Sequence, residues 1–339
     1  MVKVAIIGLG KMGMSHCAIL GAHPDVELVG MCDPDSLLQS AFKKLTKIAC
    51  YTDYKKMINE TKPDAVYVVT PTKLHEEMVV YALEHGCHVF CEKPFSLTEK
   101  DGQIMVEAAK KYGKVNQVGY HNRFIGTFVE AKRLMDAGVI GKPFHFMGEA
   151  YGPVVLKRKG GTWRSDKKAG GGCVMDYAAH VLNLINYICS SPIVKVAGTS
   201  MPSIFSAEVD DAVYSTLTLE NGLKGQLSVC WSDDTVRKMT TSLKIEGDGG
   251  KIFVDATTLK VYVKEDNPKE RLVKGWNEKH IPELAPIVFF NLRGEEYSEE
   301  TDKFIKCIKE NKMSDRNSFE EAYKTDQIIN ALMEDAKNG

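Results

Sequence analysis

Two short stretches of this 339-residue chain carry the residue types that acid–base chemistry on a hydroxyl requires. The first is Cys91-Glu92-Lys93-Pro94, which closes an apolar run over 87–91. A lysine ammonium at such a strand end can bond a substrate hydroxyl and stabilise the negative charge that grows as its proton leaves. Elsewhere in a chain, a lysine beside a glutamate would simply pair with it at the surface. The second stretch is a helix pattern from about 173 to 189, entered from Gly170-Gly171-Gly172. Its polar residues Asp176, His180, Asn183 and Tyr187 fall at i, i+4, i+7 and i+11, one stripe of a helix, with Val174, Val181, Ile185 and Ile188 around the rest. A solvent-facing stripe would normally carry lysine and glutamate, so the pattern predicts a helix buried by its apolar sides with this stripe on a cleft. Histidine suits proton transfer near neutral pH, and Asp176 one turn away would orient it and stabilise its protonated form.

Those residues need elements to position them. From Val2 to about Gly119 the sequence alternates strand patterns (2–7, 26–32, a weak one near 48–51, 65–69, 87–91, 115–118) with helix patterns (11–22, 35–46, 73–85, 98–112). Alternation with Val/Ile-rich strands predicts an α/β, doubly wound parallel sheet over residues 1–120, and six strands match a Rossmann domain. Ligands of such sheets lie beyond the carboxyl ends of the strands, where Lys93 emerges. After Tyr120 the rhythm changes. A helix over 124–137, a strand over 143–151 and a Gly- and Lys-rich loop over 152–172 lead into the apolar helix. Five or six strand runs over 193–264, joined by turns such as Asn221-Gly222, precede an irregular stretch and two helices near 296–311 and 318–336. Residues 121–339 are therefore expected to form an α+β domain on an open, mostly antiparallel sheet. Its C-terminal helices are candidates to pack back on the first domain.

The segment Gly8-Leu9-Gly10-Lys11-Met12-Gly13 follows the first strand and opens a helix, the context that the G-x-G-x-x-G fingerprint needs. Its glycines permit a tight turn and close approach of a pyrophosphate to the helix N-terminus. Asp33 ends the second strand, placed to accept bonds from the adenosine ribose and to repel a 2′-phosphate, and Pro34, Asp35 and Ser36 supply no cation to bind one. The pattern favours NAD over NADP.

Bulk composition agrees. The 44 basic and 45 acidic residues nearly cancel, so neither nucleic acid nor an anionic membrane is indicated as a partner. Apolar runs fall far short of a spanning helix, and the nine scattered cysteines suit a reducing compartment, so a cytoplasmic location is expected. The run His85-x-Cys87-His88-x-x-Cys91 resembles a metal cluster, yet along a strand Cys87 and Cys91 point one way and His88 the other, so no metal is expected. No G-x-S-x-G elbow signals a serine hydrolase.

Taken with Glu92-Lys93-Pro94, Val118-Gly119-Tyr120-His121-Asn122-Arg123-Phe124 and the Gly170 to His180 block, the fingerprint resembles the Gfo/Idh/MocA oxidoreductases, relatives of glucose-fructose oxidoreductase and inositol dehydrogenase. The resemblance runs from residue 1 to the C-terminal helices. It implies NAD(P) on the first domain, hydride transfer to or from a secondary hydroxyl, and usually a polyhydroxy substrate. It assigns Lys93 to substrate binding and charge stabilisation, Asp176 to the substrate or histidine, and His180 to the proton. It places Thr70, Pro71, His75, Glu92, Lys93 and Arg123 near the cofactor, and it implies a homo-dimer or homo-tetramer through the open sheet face. Tyr120, Tyr151, Trp163, Arg164 and Asn183 complete the candidate substrate contacts.

Loop 157–168 holds Lys157, Arg158, Lys159, Arg164, Lys167 and Lys168 against Asp166 alone, with Trp163 as a platform for a sugar face. It reads as a solvated loop or as a grip on a phosphate, a uronate or a nucleotide sugar. Two other functions stay open at this stage: a redox-neutral glycosidase that uses NAD transiently, and a non-catalytic sensor of dinucleotide or sugar.

Overall fold

The opening apolar run forms β1 (Val2–Ile7), and burial of five of its six residues makes it a central strand. In order follow α1 (Lys11–Ala22), β2 (Val26–Cys32), α2 (Ser36–Thr46), β3 (Cys50–Tyr51), α3 (Tyr54–Thr61), β4 (Ala65–Val68), α4 (His75–Glu84), β5 (His88–Cys91), α5 (Glu99–Tyr112) and β6 (Asn116–Val118). The strands pair in parallel in the order β3-β2-β1-β4-β5-β6, the Rossmann sheet expected from the sequence. Helix starts are set by side chains: Asp35, Asp53 and Thr98 each accept amides of the first turn of α2, α3 and α5. The computed structural model describes residues 1–158 and 163–338, apart from the side chains of Ala41, Leu45 and Trp163.

Further along lie α6 (Gly126–Asp136), β7 (Pro143–Tyr151), a π-helical turn (Val174–Ala178) and α7 (Ala179–Ile188). Then come β8 (Ile193–Ser200), β9 (Ala212–Leu219), β10 (Lys224–Cys230), β11 (Thr240–Gly247), β12 (Gly250–Asp255), β13 (Thr258–Val263), β14 (Gly275–His280) and the short α8 (Ile281–Leu284). They form one sheet in the order β14-β13-β12-β11-β7-β10-β9-β8, antiparallel except where β7 meets β10. Alternate residues such as Phe146, Leu227, Ile245 and Ile252 are buried on the face packed by α6 and α7. The opposite face carries Met147, Phe253, Tyr262 and Trp276 half-buried or exposed. The chain closes with α9 (Glu295–Lys309) and α10 (Phe319–Asn338).

The chain divides into two compact units, 1–121 with 287–323 and 122–286 with 324–339. In the first, Phe304 and Ile305 of α9 join Val4, Ile6, Tyr67 and Phe90 in one apolar core, with Tyr67 and Phe90 stacked at 4.4 Å. Three elements depart from the sequence reading, the short α8 within the stretch read as irregular being one. Helix α3 occupies a span read as connection, and β14 extends the second sheet out of the stretch read as irregular. Among the described residues no helix is long and apolar enough to cross a membrane, and no cluster of three His, Cys, Asp or Glu side chains could hold a metal.

Candidate active site

In the first unit the glycine turn builds a cradle. Gly8 sits at φ +96°, and a Cβ there would lie 2.4 Å from the Val69 carbonyl oxygen. A Cβ on Gly13 would meet the Gly8 oxygen at 2.0 Å, so both glycines are set by backbone packing. Gly10 differs. A Cβ there would meet no atom within 4 Å, so the protein itself does not require a glycine. Its bare side faces open space at the start of α1, where first-turn amides of Lys11, Met12 and Gly13 have no partner within the helix. Asp33 ties this turn to β2: Oδ2 accepts the Leu9 amide at 2.7 Å and Oδ1 the Asp35 amide at 2.9 Å. Each carboxylate oxygen keeps a second lone pair for a ribose hydroxyl. The residues present fit a dinucleotide, with NAD preferred because Pro34, Asp35 and Ser36 after Asp33 carry no cation for a 2′-phosphate.

Lys93 follows β5, the second strand from β1 across the sheet, and is half-buried. Its amide donates to Glu92 Oε2 at 3.0 Å, and Glu92 Oε1 accepts from His16 Nε2 at 2.7 Å. His75 is buried between the loops after β4 and β5, with Nε2 2.9 Å from the Thr70 oxygen and Nδ1 3.1 Å from the Phe95 oxygen. Burial lowers its pKa despite those carbonyls, and the neutral ring donates to one of them at a time. Thr70 is half-buried and Pro71 exposed at the end of β4. Tyr120 is buried, its carbonyl accepting Asn317 Nδ2 at 2.9 Å. His121 stacks on Tyr297 with ring centroids 4.7 Å apart. Burial first, then the charge of Lys93, pushes His121 down to about 4, so it is neutral at physiological pH.

In the second unit the helix that carries Asp176 and His180 starts at a built N-terminus. Asp210 Oδ2 accepts the Val174 amide at 2.7 Å, and the Asp210 carbonyl accepts the Cys173 amide at 3.0 Å. The first turn is π-helical rather than the regular α-helix read from the sequence. A wider turn rotates less per residue, which brings residues four apart more nearly above one another. Asp176 and His180 are each 3% exposed on this segment. Asp176 Oδ2 accepts Arg164 Nε at 2.9 Å. Lower on the helix, Arg123 donates from Nε to Asn183 Oδ1 at 2.7 Å and from Nη2 to the Asn183 carbonyl at 3.2 Å, with its guanidinium 5.0 Å from the Tyr187 ring. Asn183 Nδ2 reaches Thr325 Oγ1 at 3.4 Å. Arg123 and Asn183, expected at cofactor and substrate, thus have each other as partners in a buried network. Tyr151 lies on the open sheet face, its hydroxyl 2.7 Å from Ser228 Oγ. The Trp163 side chain and Lys159 lie outside the described residues.

Residues 2–120 match the family model described as "Oxidoreductase family, NAD-binding Rossmann fold", and residues 128–253 match the GFO/IDH/MocA C-terminal domain. The D-glucoside 3-dehydrogenase of Escherichia coli (strain K12) is 30% identical over 243 residues, 65% of this chain and 67% of that one. The chain belongs to the Gfo/Idh/MocA oxidoreductase family. Among its relatives, the scyllo-inositol 2-dehydrogenase (NAD(+)) of Bacillus subtilis (strain 168) is 30% identical over 199 residues, spanning 58% of this chain but only 56% of that relative. The myo-inositol 2-dehydrogenase of Thermotoga maritima is 27% identical over 91% of this chain and 88% of its own. A levoglucosan dehydrogenase solved with NADH superposes with a TM-score of 0.88 at 23% identity, covering 99% of this chain and 97% of that one.

This NAD-binding Gfo/Idh/MocA oxidoreductase also holds contacts around the candidate site that the sequence did not single out. His16 is the lone imidazole among the buried positions of α1 (Gly13, Cys17, Ile19, Leu20), which is the signal that marks it. Asp210, which caps the helix that carries Asp176 and His180, lies far from it in sequence and carries no such signal.

Proposed function

We propose that this oxidoreductase acts on a secondary hydroxyl of a neutral polyhydroxy compound, a sugar, glycoside or inositol, or on the matching ketone. The observation that carries the reading is Lys93 at the carboxyl end of β5, in the same unit as a glycine cradle with room for a pyrophosphate at Gly10. When bound, NAD supplies the hydride acceptor and, as NADH, the donor. His180 takes the hydroxyl proton in oxidation and Asp176 orients its ring. The Lys93 ammonium holds the oxygen as negative charge grows on it. Gly8, Gly10, Lys11, Met12, Gly13 and Asp33 hold the pyrophosphate and adenosine ribose, with Thr70, Pro71, His75 and Glu92 lining the nicotinamide end.

Two points favour a neutral substrate. The relatives named above act on a glucoside and on inositols. The Arg164 guanidinium is already paired with the Asp176 carboxylate, so this member of the basic loop brings no net charge.

A panel of inositols, glucosides, anhydrosugars, sugar phosphates and uronates, read by NADH formation, tests the reading. Turnover of a neutral member with a salt-independent KM is expected. K93A and H180N should each lower kcat by about 10²–10⁴-fold while NADH affinity stays unchanged. Wild-type turnover in K93A, or a preference for the phosphates that fades with salt, refutes it.

A further inference from the structure

Behind Lys93 the first unit buries polar groups that the proposed chemistry leaves unused. His16 is fully buried in an aromatic box, its ring 5.2 Å from Phe90, 5.5 Å from Tyr67 and 6.5 Å from Tyr297. It donates to Glu92, whose other oxygen receives the Lys93 amide. Gly119, directly after β6, lies against this carboxylate: a Cβ there would be 3.0 Å from Glu92 Oε2.

A second carboxyl shares the region. Glu300 of α9 is 1% exposed, and neither of its oxygens has a hydrogen-bond partner among the described residues. A buried carboxylate without donors is costly, and a neutral acid much less so. Burial first, then the charges of Glu92 and Glu296, pushes Glu300 well above the usual carboxylate range. Glu92 shifts the other way. Burial alone would raise it, yet the His16 hydrogen bond and charge, with the Lys93 charge and amide, together hold it below its ordinary value. Other ionisable groups around the pair are Tyr67, His75, His121, Tyr297, Arg293 and Glu296. Two acids within electrostatic reach thus have surroundings that drive them apart, one ionised and one protonated.

We propose that His16 is a positioning residue for Lys93: it selects Glu92 as the carboxyl that carries the charge, Glu300 stays neutral in the same core, and Glu92 fixes the lysine turn. The role of Lys93 itself rests on the function proposed above, whereas the arrangement behind it is open to separate measurement.

Two readouts on the full-length protein test it. The first is the infrared carbonyl band of a protonated carboxylic acid at about pH 8, where Asp210 is ionised, expected in the wild type and absent in E300Q. No such band, or a band that survives E300Q, overturns the proposal. The second is hydrogen–deuterium exchange of the peptide that contains the Lys93 amide. H16F, which keeps an aromatic ring but loses the donor, should speed exchange about tenfold, and H16Q, which keeps a donor, should stay within about threefold of wild type. E300Q should leave exchange unchanged, and H16F/E300Q should move back toward wild type because only Glu92 can then carry the charge. Equal exchange in H16F and H16Q, or no recovery in the double variant, overturns it. Failure of the function reading would instead appear as wild-type turnover in K93A, with both readouts intact.

Discussion

Alanine at Gly10 should stabilise the protein and weaken its hold on NADH at once. Gly10 lies at φ −63° and ψ −171°, a conformation open to any residue, and a Cβ there would touch nothing within 4 Å. Gly→Ala at such a site restricts the unfolded chain and adds about 0.4–1 kcal/mol of stability. For a domain of this size that is a rise in Tm of about 1–4 °C. The same methyl occupies the space through which a pyrophosphate must reach the first-turn amides. Loss of one charge-assisted hydrogen bond costs about 1.5–3 kcal/mol, or about 10- to 100-fold in Kd. G8A and G13A are the controls. Their Cβ atoms would lie 2.4 Å and 2.0 Å from backbone oxygens, so both should lose stability and affinity together. Thermal melts of the apo protein and fluorescence titration with NADH separate the cases. Wild-type NADH affinity in G10A, or a lowered Tm, would refute the reasoning.

Asp210 predicts a pH-dependent term in the stability of the second unit. Burial lifts it from 3.8 to about 6, so the folded state holds the proton more tightly than the unfolded one. Its contribution is complete below about pH 4 and is lost as pH rises through 6, by about 1–3 kcal/mol. D210N keeps an acceptor for the Val174 amide, so it should resist urea better than wild type at pH 7–8 and match it near pH 4. Parallel stability curves would reject that origin. The open face of the second sheet, with Met147, Phe253, Tyr262 and Trp276, is expected to join copies of the chain into a dimer or tetramer. F253D should then lower the mass seen by light scattering, and a monomeric wild type or an unchanged mass would rule the interface out.

The first sheet was legible because its strands are buried on both faces and read as short, mostly apolar runs rich in Val, Ile and Ala, such as Val2–Ile7 and Ala65–Val68. Helix α3 was not. It has eight residues with only Met57 and Ile58 buried, too short for a helical period to stand out. Its one clear mark was Asp53, which accepts the amides of Lys55 and Lys56. Strand β14 failed for the opposite reason. As an edge strand none of its residues is buried, so Gly275–His280 shows no apolar alternation and is held by backbone pairing to β13.

The candidate site shows a different boundary. Spacing identifies residues that share an element, and it placed Asp176, His180 and Asn183 together on one helix. It is silent on what distant chain supplies as a partner, and partners decide what a charge can do. Arg164 read as part of a basic run able to grip an anion, yet the fold gives it the Asp176 carboxylate at 2.9 Å. The pair is electrically balanced, so it offers a substrate directed hydrogen bonds rather than a field. Sugars and inositols are recognised in that way, through many neutral hydroxyls whose positions, not charges, distinguish one compound from the next. Glu92 shows the converse. Its pairing with Lys93 was the bland reading of adjacent charges, but the carboxylate is committed to His16 and to the Lys93 amide, so it fixes the lysine's backbone. A positively charged side chain on a rigid backbone is what stabilising a transient oxyanion demands, because a donor that must reorganise during the reaction gives back much of what it contributes.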